Sequence, residues 1–294
     1  MNARPLRWRP PPRPLERPAL GELRLRVVSA LVMVPIVILF AWFGEISFAV
    51  IVLVTAALVF DEWSRMLKLE RQRELRAAGV AALAVITAAA LSYPLGVTLA
   101  IWLTMTVLIA LLGAALGGGD RAAWAGLGML YAGMALVSLV LLRAGPHGFA
   151  IIVFIFVVAW VTDIAAFFVG RRLRGPKLWP AVSPGKTWSG AIGGLVFGLI
   201  GGALLTLPLD LALSAELILF TATIAVAAQV GDLLESAVKR RFGVKDAGRL
   251  IPGHGGVMDR VDGLVVASAV AILFAAALGT FDPEPATTLV RILS

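Results

Sequence analysis

Nine stretches of this chain are apolar over most or all of a membrane's thickness: about 26–43, 46–60, 77–92, 95–117, 124–143, 149–170, 188–207, 211–230 and 263–280. About 20 apolar residues cross a hydrocarbon core as a helix, and a helix satisfies its backbone N–H and C=O groups internally, as lipid demands. The pattern predicts an all-α, polytopic integral membrane protein of about nine transmembrane helices. Composition removes the alternatives. Of 294 residues, 60% are hydrophobic and 15% charged, and the mean hydropathy is +0.92. A soluble domain has about 45–50% apolar and about 25% charged residues. A soluble enzyme, a disordered chain and a fibrous one are therefore excluded. There is no cysteine, so disulfides, thiolate metal sites and cysteine nucleophiles are excluded too.

The net charge of +8 reads as membrane orientation rather than nucleic-acid binding. With the N-terminus in the cytoplasm and nine alternating spans, 24 of the 26 Lys and Arg fall on the cytoplasmic side, leaving Arg143 and Arg291 outside. That asymmetry is what the positive-inside rule requires, and it places the C-terminus outside. Residues 1–25 read as a disordered, basic, Pro/Arg-rich tail that can touch anionic lipid heads. The first apolar stretch is long for a signal peptide and lacks a small-residue cleavage site, so it reads as a retained anchor. Residues 26–148 are almost free of polar residues within spans and read as scaffold. The chemistry is expected in 149–294. No internal repeat is visible.

Polar residues gather in three places. Asp163 lies inside the sixth stretch, where a carboxylate costs about 2.5–3.5 kcal/mol unless it faces a polar cavity, a cation or a partner; a structural hydrogen bond with Thr162 is the other reading. The loop after it carries Arg171, Arg172, Arg174, Lys177 and Lys186, either phosphate-binding cations or positive-inside anchors. Its turn, Ser183-Pro184-Gly185-Lys186-Thr187, offers backbone N–H groups at a helix start. It is no P-loop, because that motif needs Gly where Pro180 stands.

The third place is 231–262. If the eighth helix continues past its span, Asp232, Glu235, Ser236 and Lys239 share one face. Asp259 and Asp262 form an i, i+3 pair at the start of the ninth. Between them lie Lys245, Asp246 and a Gly-rich loop around His254, which either contacts a phosphate or shapes the turn. Carboxylates, cations and glycine turns near a membrane face point to a divalent cation with oxygen ligands and a polyphosphate. With two histidines and no cysteine, Mg²⁺ is expected rather than zinc, with Asp232, Glu235, Asp259 and Asp262 as its candidate ligands.

This stretch resembles the phosphatidate cytidylyltransferase (CDP-diacylglycerol synthase) family. That family's C-terminal pattern is filled by Ser236, Lys239, Arg240, Lys245, Asp246, Gly248, Ile251, Pro252, His254, Gly255, Gly256, Asp259, Arg260 and Asp262. Gly231, Asp232, Glu235, Asp163, Ser183, Pro184, Lys186 and Thr187 are similar too. Gly185 and Ser189 depart from it, standing where relatives often carry Lys and an acid. The resemblance covers about 150–280. It implies a nucleotidyltransferase for phospholipid biosynthesis: CTP plus phosphatidate gives CDP-diacylglycerol plus pyrophosphate. It also implies a nine-helix homodimer in the bacterial-type cytoplasmic (inner) membrane, its site facing the cytoplasm. Asp232 and Asp259 would hold Mg²⁺ and a neighbouring monovalent cation such as K⁺. Lys239, Arg240, Lys245 and Arg260 would offset phosphate charge, and Asp163 and Asp246 would orient cations or metal-bound water. Ser183, Lys186, Thr187, Ser236, His254, Gly255 and Gly256 would contact the nucleotide. The expected partners are CTP, phosphatidate and membrane lipid, with no nucleic acid. The competing readings are a cytidylyltransferase for an isoprenoid lipid phosphate and, in a different class, a polytopic anion transporter. Against the transporter, no second half matches the polar cluster.

Overall fold

The computed structural model describes residues 20–69, 71–209, 213–248, 250 and 255–278. Within them are ten α-helices: α1 (Leu20–Phe43), α2 (Glu45–Leu67), α3 (Gln72–Ser92), α4 (Leu95–Gly113), α5 (Ala122–Arg143), α6 (Gly148–Leu173), α7 (Trp188–Leu204), the short α8 (Thr206–Leu209), α9 (Ala215–Arg241) and α10 (Met258–Leu278). Each of the nine apolar stretches has most of its length in one long helix, although 95–117 runs past the end of α4 and 188–207 past the end of α7. Seven of these, α2 to α6, α9 and α10, are long and apolar enough to cross a membrane, while the described side chains of α1 (Val32–Phe43) and α7 form shorter apolar helices. α1 begins inside the stretch read as a tail; residues 1–19 lie outside the described residues.

The fold departs from the sequence reading between α6 and α7. The connection expected to be a loop and turn is an antiparallel hairpin, β1 (Lys177–Trp179) with β2 (Ser183–Thr187), in which Lys177 pairs with Thr187 and Trp179 with Ser183. Trp188 N donates to Pro176 O at 3.0 Å and closes it. Thr187 then caps α7, its Oγ1 accepting from Gly190 N at 3.1 Å. The helix-start role expected for this segment thus rests on one threonine at the end of a strand.

α5 runs through the centre, with 72% of its apolar window buried against 11% for α4. Trp63 of α2 stacks on Tyr131 of α5, ring centroids 5.5 Å apart, and donates from Nε1 to Trp124 O at 2.8 Å. Two glycine contacts set the rest. Along α7, Gly190, Gly194 and Gly198 lie against the Ala166 carbonyl, the Thr162 carbonyl and the Thr162 hydroxyl, where a methyl would sit 2.7, 2.9 and 2.4 Å away. Small residues every fourth position let helices approach this closely in lipid. At the other crossing, Gly231 of α9 abuts Asp262 O, where a methyl would sit 2.5 Å away, and Gly263 of α10 abuts Ala228. Asp232 and Asp262, one residue from these two glycines, are thereby brought side by side.

The polar ends collect at one end of the bundle. Arg121 donates to Leu67 O at 2.8 Å, tying the start of α5 to the end of α2. Arg143, at the far end of α5, is buried and donates to Ala41 O at 2.7 Å.

Candidate active site

Four elements meet at that end: the hairpin, the last three turns of α9, the first turn of α10 and the last turns of α2. α9 continues unbroken to Arg241, so Asp232, Glu235, Ser236 and Lys239 do share a face. Lys239 Nζ stands 2.5 Å from Glu235 Oε2 and 2.6 Å from Asp259 Oδ1. Glu235 is fully buried and Lys239 is 8% exposed; in so little water such a pair holds only if its geometry satisfies both charges. Asp259 is held further by backbone: its Oδ2 accepts from Ala247 N at 3.0 Å and Gly256 N at 2.8 Å. Gly255, at φ +87°, gives that oxygen room, since a methyl there would lie 2.9 Å from it.

The hairpin supplies the second cation. Lys186 Nζ is 2.6 Å from Asp232 Oδ2, while Ser236 donates from Oγ to Asp232 Oδ1 at 3.3 Å. Asp163, Asp232 and Asp262 are near enough to repel one another, and Lys186 and Arg260 are the cations facing Asp163. No hydrogen bond joins Asp163 to Thr162 among the described residues. Asp262 accepts from the adjacent Gly263 N at 2.8 Å.

The remaining residues singled out by sequence are placed as follows. Arg240 donates from Nη1 to Val244 O at 2.8 Å, closing the turn after α9. Lys245, Asp246 and Arg260 are exposed at the same end. Ser183 is half-buried in β2, and Thr187 is engaged as the α7 cap. Arg171 and Arg172, in the last turn of α6, and Arg174 and Lys177 after it are exposed, Arg171 lying over the Phe167 ring. His254 lies outside the described residues.

Two residues that the sequence reading passed over belong to this site. Tyr131 of α5 buries its hydroxyl with no hydrogen-bond partner among the described residues, within the field of the carboxylates of Asp262, Glu235, Asp232 and Asp259. Glu62 of α2 accepts from Val257 N and Met258 N, each at 2.9 Å. The signal for Glu62 was present: an acidic pair, Asp61-Glu62, closing an apolar run.

Among the described residues, no three Asp, Glu or His side chains converge closely enough to hold a metal ion as they stand; Lys239 lies between Asp259 and Glu235, and Lys186 lies on Asp232. The donor chemistry nevertheless fits a hard divalent cation, being carboxylate oxygens without sulfur or described imidazole. The hydroxyl of Tyr131 and Oε1 of Glu235 are also left without hydrogen-bond partners beside those carboxylates. Chemically, the arrangement places two buried or half-buried lysines and an excess of carboxylates where anionic phosphates and a counter-cation can be aligned.

The pattern of the cytidylyltransferase family matches residues 24–278. A phosphatidate cytidylyltransferase of Brucella suis biovar 1 (strain 1330) is 40% identical over 258 residues, covering 87% of this chain and 94% of its own length. One from Pseudomonas aeruginosa is 37% identical over 270 residues, covering 87% and 99%. One from Haemophilus influenzae is 44% identical over 127 residues, or 41% and 44% of the two chains. With its pattern matched across nearly all the described helices, this chain belongs to the cytidylyltransferase family.

Proposed function

We propose that this enzyme transfers the cytidylyl group of CTP to phosphatidate. An oxygen of the phosphatidate phosphate attacks the α-phosphorus of CTP, the bond to the β-phosphate oxygen breaks, and CDP-diacylglycerol and pyrophosphate result. The observation that carries the reading is the meeting of Lys186 and Asp232 at 2.6 Å beside the Lys239–Asp259 pair at 2.6 Å. It joins phosphate-type cations and metal-type carboxylates at one end of a membrane helix bundle, in a chain whose relatives carry the name phosphatidate cytidylyltransferase.

Both reactants are anions, so catalysis is chiefly neutralisation and alignment. Lys186 and Lys239 release their carboxylates and turn to the nucleotide phosphates, with Arg260, Arg240 and Lys245 offsetting the remaining charge. Ser183, Ser236, Thr187, His254, Gly255 and Gly256 border the nucleotide. The phosphatidate phosphate is already ionised at neutral pH, so no strong general base is required. Asp232 and Asp259 would hold Mg²⁺ and a monovalent cation such as K⁺, with Glu235 and Asp262 beside them and Asp163 and Asp246 orienting their surroundings. Mg²⁺ there would neutralise the triphosphate and stabilise the leaving pyrophosphate. The acyl tails stay in the bilayer. In this reading nine spans place the N-terminus and the site on the cytoplasmic side of a bacterial inner membrane, in a homodimer.

The test is CTP-dependent conversion of phosphatidate by purified, detergent-solubilised protein, with and without Mg²⁺, following pyrophosphate and CDP-lipid. Equal amounts of both products, dependent on Mg²⁺, are expected. No product from folded protein would overturn the phosphatidate assignment and direct the assay to isoprenoid lipid phosphates.

A further inference from the structure

Glu62 lies in α2, within the half of the chain that reads as scaffold, and is 4% exposed. No ion pair neutralises it among the described residues. Its two oxygens accept instead from Val257 N and Met258 N, two of the donors that the start of α10 leaves unpaired. A carboxylate at a helix N-terminus is favoured both by those N–H groups and by the helix dipole. Two glycines close around it. A methyl on Gly248 would lie 2.4 Å from Oε1, and one on Gly256 would lie 2.4 Å from Oε2. The carboxylate is thus clasped by both described ends of the connection between α9 and α10.

The same two ends hold Asp259. Ala247, next to Gly248, and Gly256 itself donate to its Oδ2. One short piece of backbone is therefore pinned from both sides, by Glu62 of α2 and by Asp259, whose other oxygen holds Lys239. Asp61, one residue before Glu62, pairs instead with Arg65 and Arg76.

We propose that Glu62 is a positioning residue for the transfer reaction: it latches the ends of the α9–α10 connection to α2, and so sets the place of Asp259 and, through it, of Lys239. The half of the chain without motif residues thereby contributes to the site. The proposal rests on the reading of Lys239 and Asp259 as part of the phosphate-transfer machinery, and the experiment separates the two.

Full-length Glu62→Gln keeps the side chain's shape but turns one acceptor into a donor facing an N–H. In detergent, amide hydrogen exchange in peptides spanning 255–262 is expected to accelerate by about tenfold or more, the scale of losing a charge-assisted hydrogen bond. Exchange in α2 and in the membrane part of α9 should stay as in the unsubstituted protein. Turnover should fall in kcat by about tenfold or more while KM for both substrates stays within about threefold, the split expected of a residue that touches neither substrate. Gly248→Ala provides a second route, pressing a methyl on the carboxylate with its charge intact; the same pattern is expected, smaller in size. Unchanged exchange near the α10 start overturns the proposal, as does faster exchange with unchanged kcat. Faster exchange spread equally over α2 and α9 also overturns it, since it would mean general loosening. If Asp259→Asn turns over normally, the site reading falls, whereas the exchange signature of the latch stands or falls by itself.

Discussion

Lys186 on the hairpin and Asp232 on α9 face each other with Nζ and Oδ2 2.6 Å apart, and this contact joins the two polar stretches of the sequence into one site. Both side chains keep part of their surface in solvent, 26% and 30%. A pair that exposed contributes about 0–1 kcal/mol to stability. Lys186→Met is therefore expected to leave the detergent unfolding midpoint nearly unchanged. It should lower kcat/KM for CTP by about 10- to 100-fold, the scale of one hydrogen bond to a charged group. A large drop in the midpoint with unchanged kinetics would make the pair structural.

Lys239 presents the opposite balance. It is the cation for Glu235, which is fully buried, and for Asp259. Removing one member of a buried pair costs about 3–5 kcal/mol, because the partner's charge is left uncompensated. Lys239→Met should both destabilise the protein and stop turnover. Adding Glu235→Gln to it should recover much of the stability and none of the activity, since the fully buried charge is then gone and Asp259 keeps the N–H groups of Ala247 and Gly256, but the double variant still lacks the cation. Thermal unfolding and turnover of the two variants check this directly.

The crossing of α9 and α10 depends on Gly231. A methyl there meets the Asp262 carbonyl at 2.5 Å, and a backbone atom cannot rotate away. Gly231→Ala is expected to cost about 1–3 kcal/mol as overpacking and to lower activity further than that loss explains, because Asp232 and Asp262 are moved apart. Gly96→Ala, a substitution with open space around it, serves as control in the same assays.

The helices were legible because the apolar stretches approach or exceed the length of a membrane crossing, and the face shared by Asp232, Glu235, Ser236 and Lys239 was legible because i, i+3, i+4 spacing fixes it once α9 is continuous. The hairpin was not: strands of three and five residues carrying Pro184 and Gly185 look like a turn locally, and only the pairing of Lys177 with Thr187 makes them strands. Pairings between elements were equally hidden. Nothing local says that Lys239 reaches across to Asp259, or that Glu62 reaches Val257, 195 residues away. The glycines at 190, 194 and 198 gave no signal either, since small residues are ordinary in such helices until a partner backbone is seen against them.

Asp232 and Asp259 differ in what already engages them, and that difference predicts how each responds to Mg²⁺. Asp259 has both oxygens engaged, by Lys239 and by the N–H groups of Ala247 and Gly256. Asp232 has one oxygen on half-exposed Lys186 and the other on a long hydroxyl contact from Ser236, so it is the easier of the two to turn to a cation. Chelation with EDTA is expected to stop turnover. Asp232→Asn should raise the Mg²⁺ concentration for half-maximal rate by about tenfold or more, the range seen when a metal's protein environment is weakened. Asp259→Asn should instead abolish kcat at every Mg²⁺ concentration while the protein stays folded, because it frees Lys239 as well as removing an oxygen donor. Mn²⁺ binding followed by electron paramagnetic resonance gives a readout independent of turnover. Unaltered Mn²⁺ affinity in Asp232→Asn would place the metal donors elsewhere, and full activity after chelation would remove the metal from the reaction.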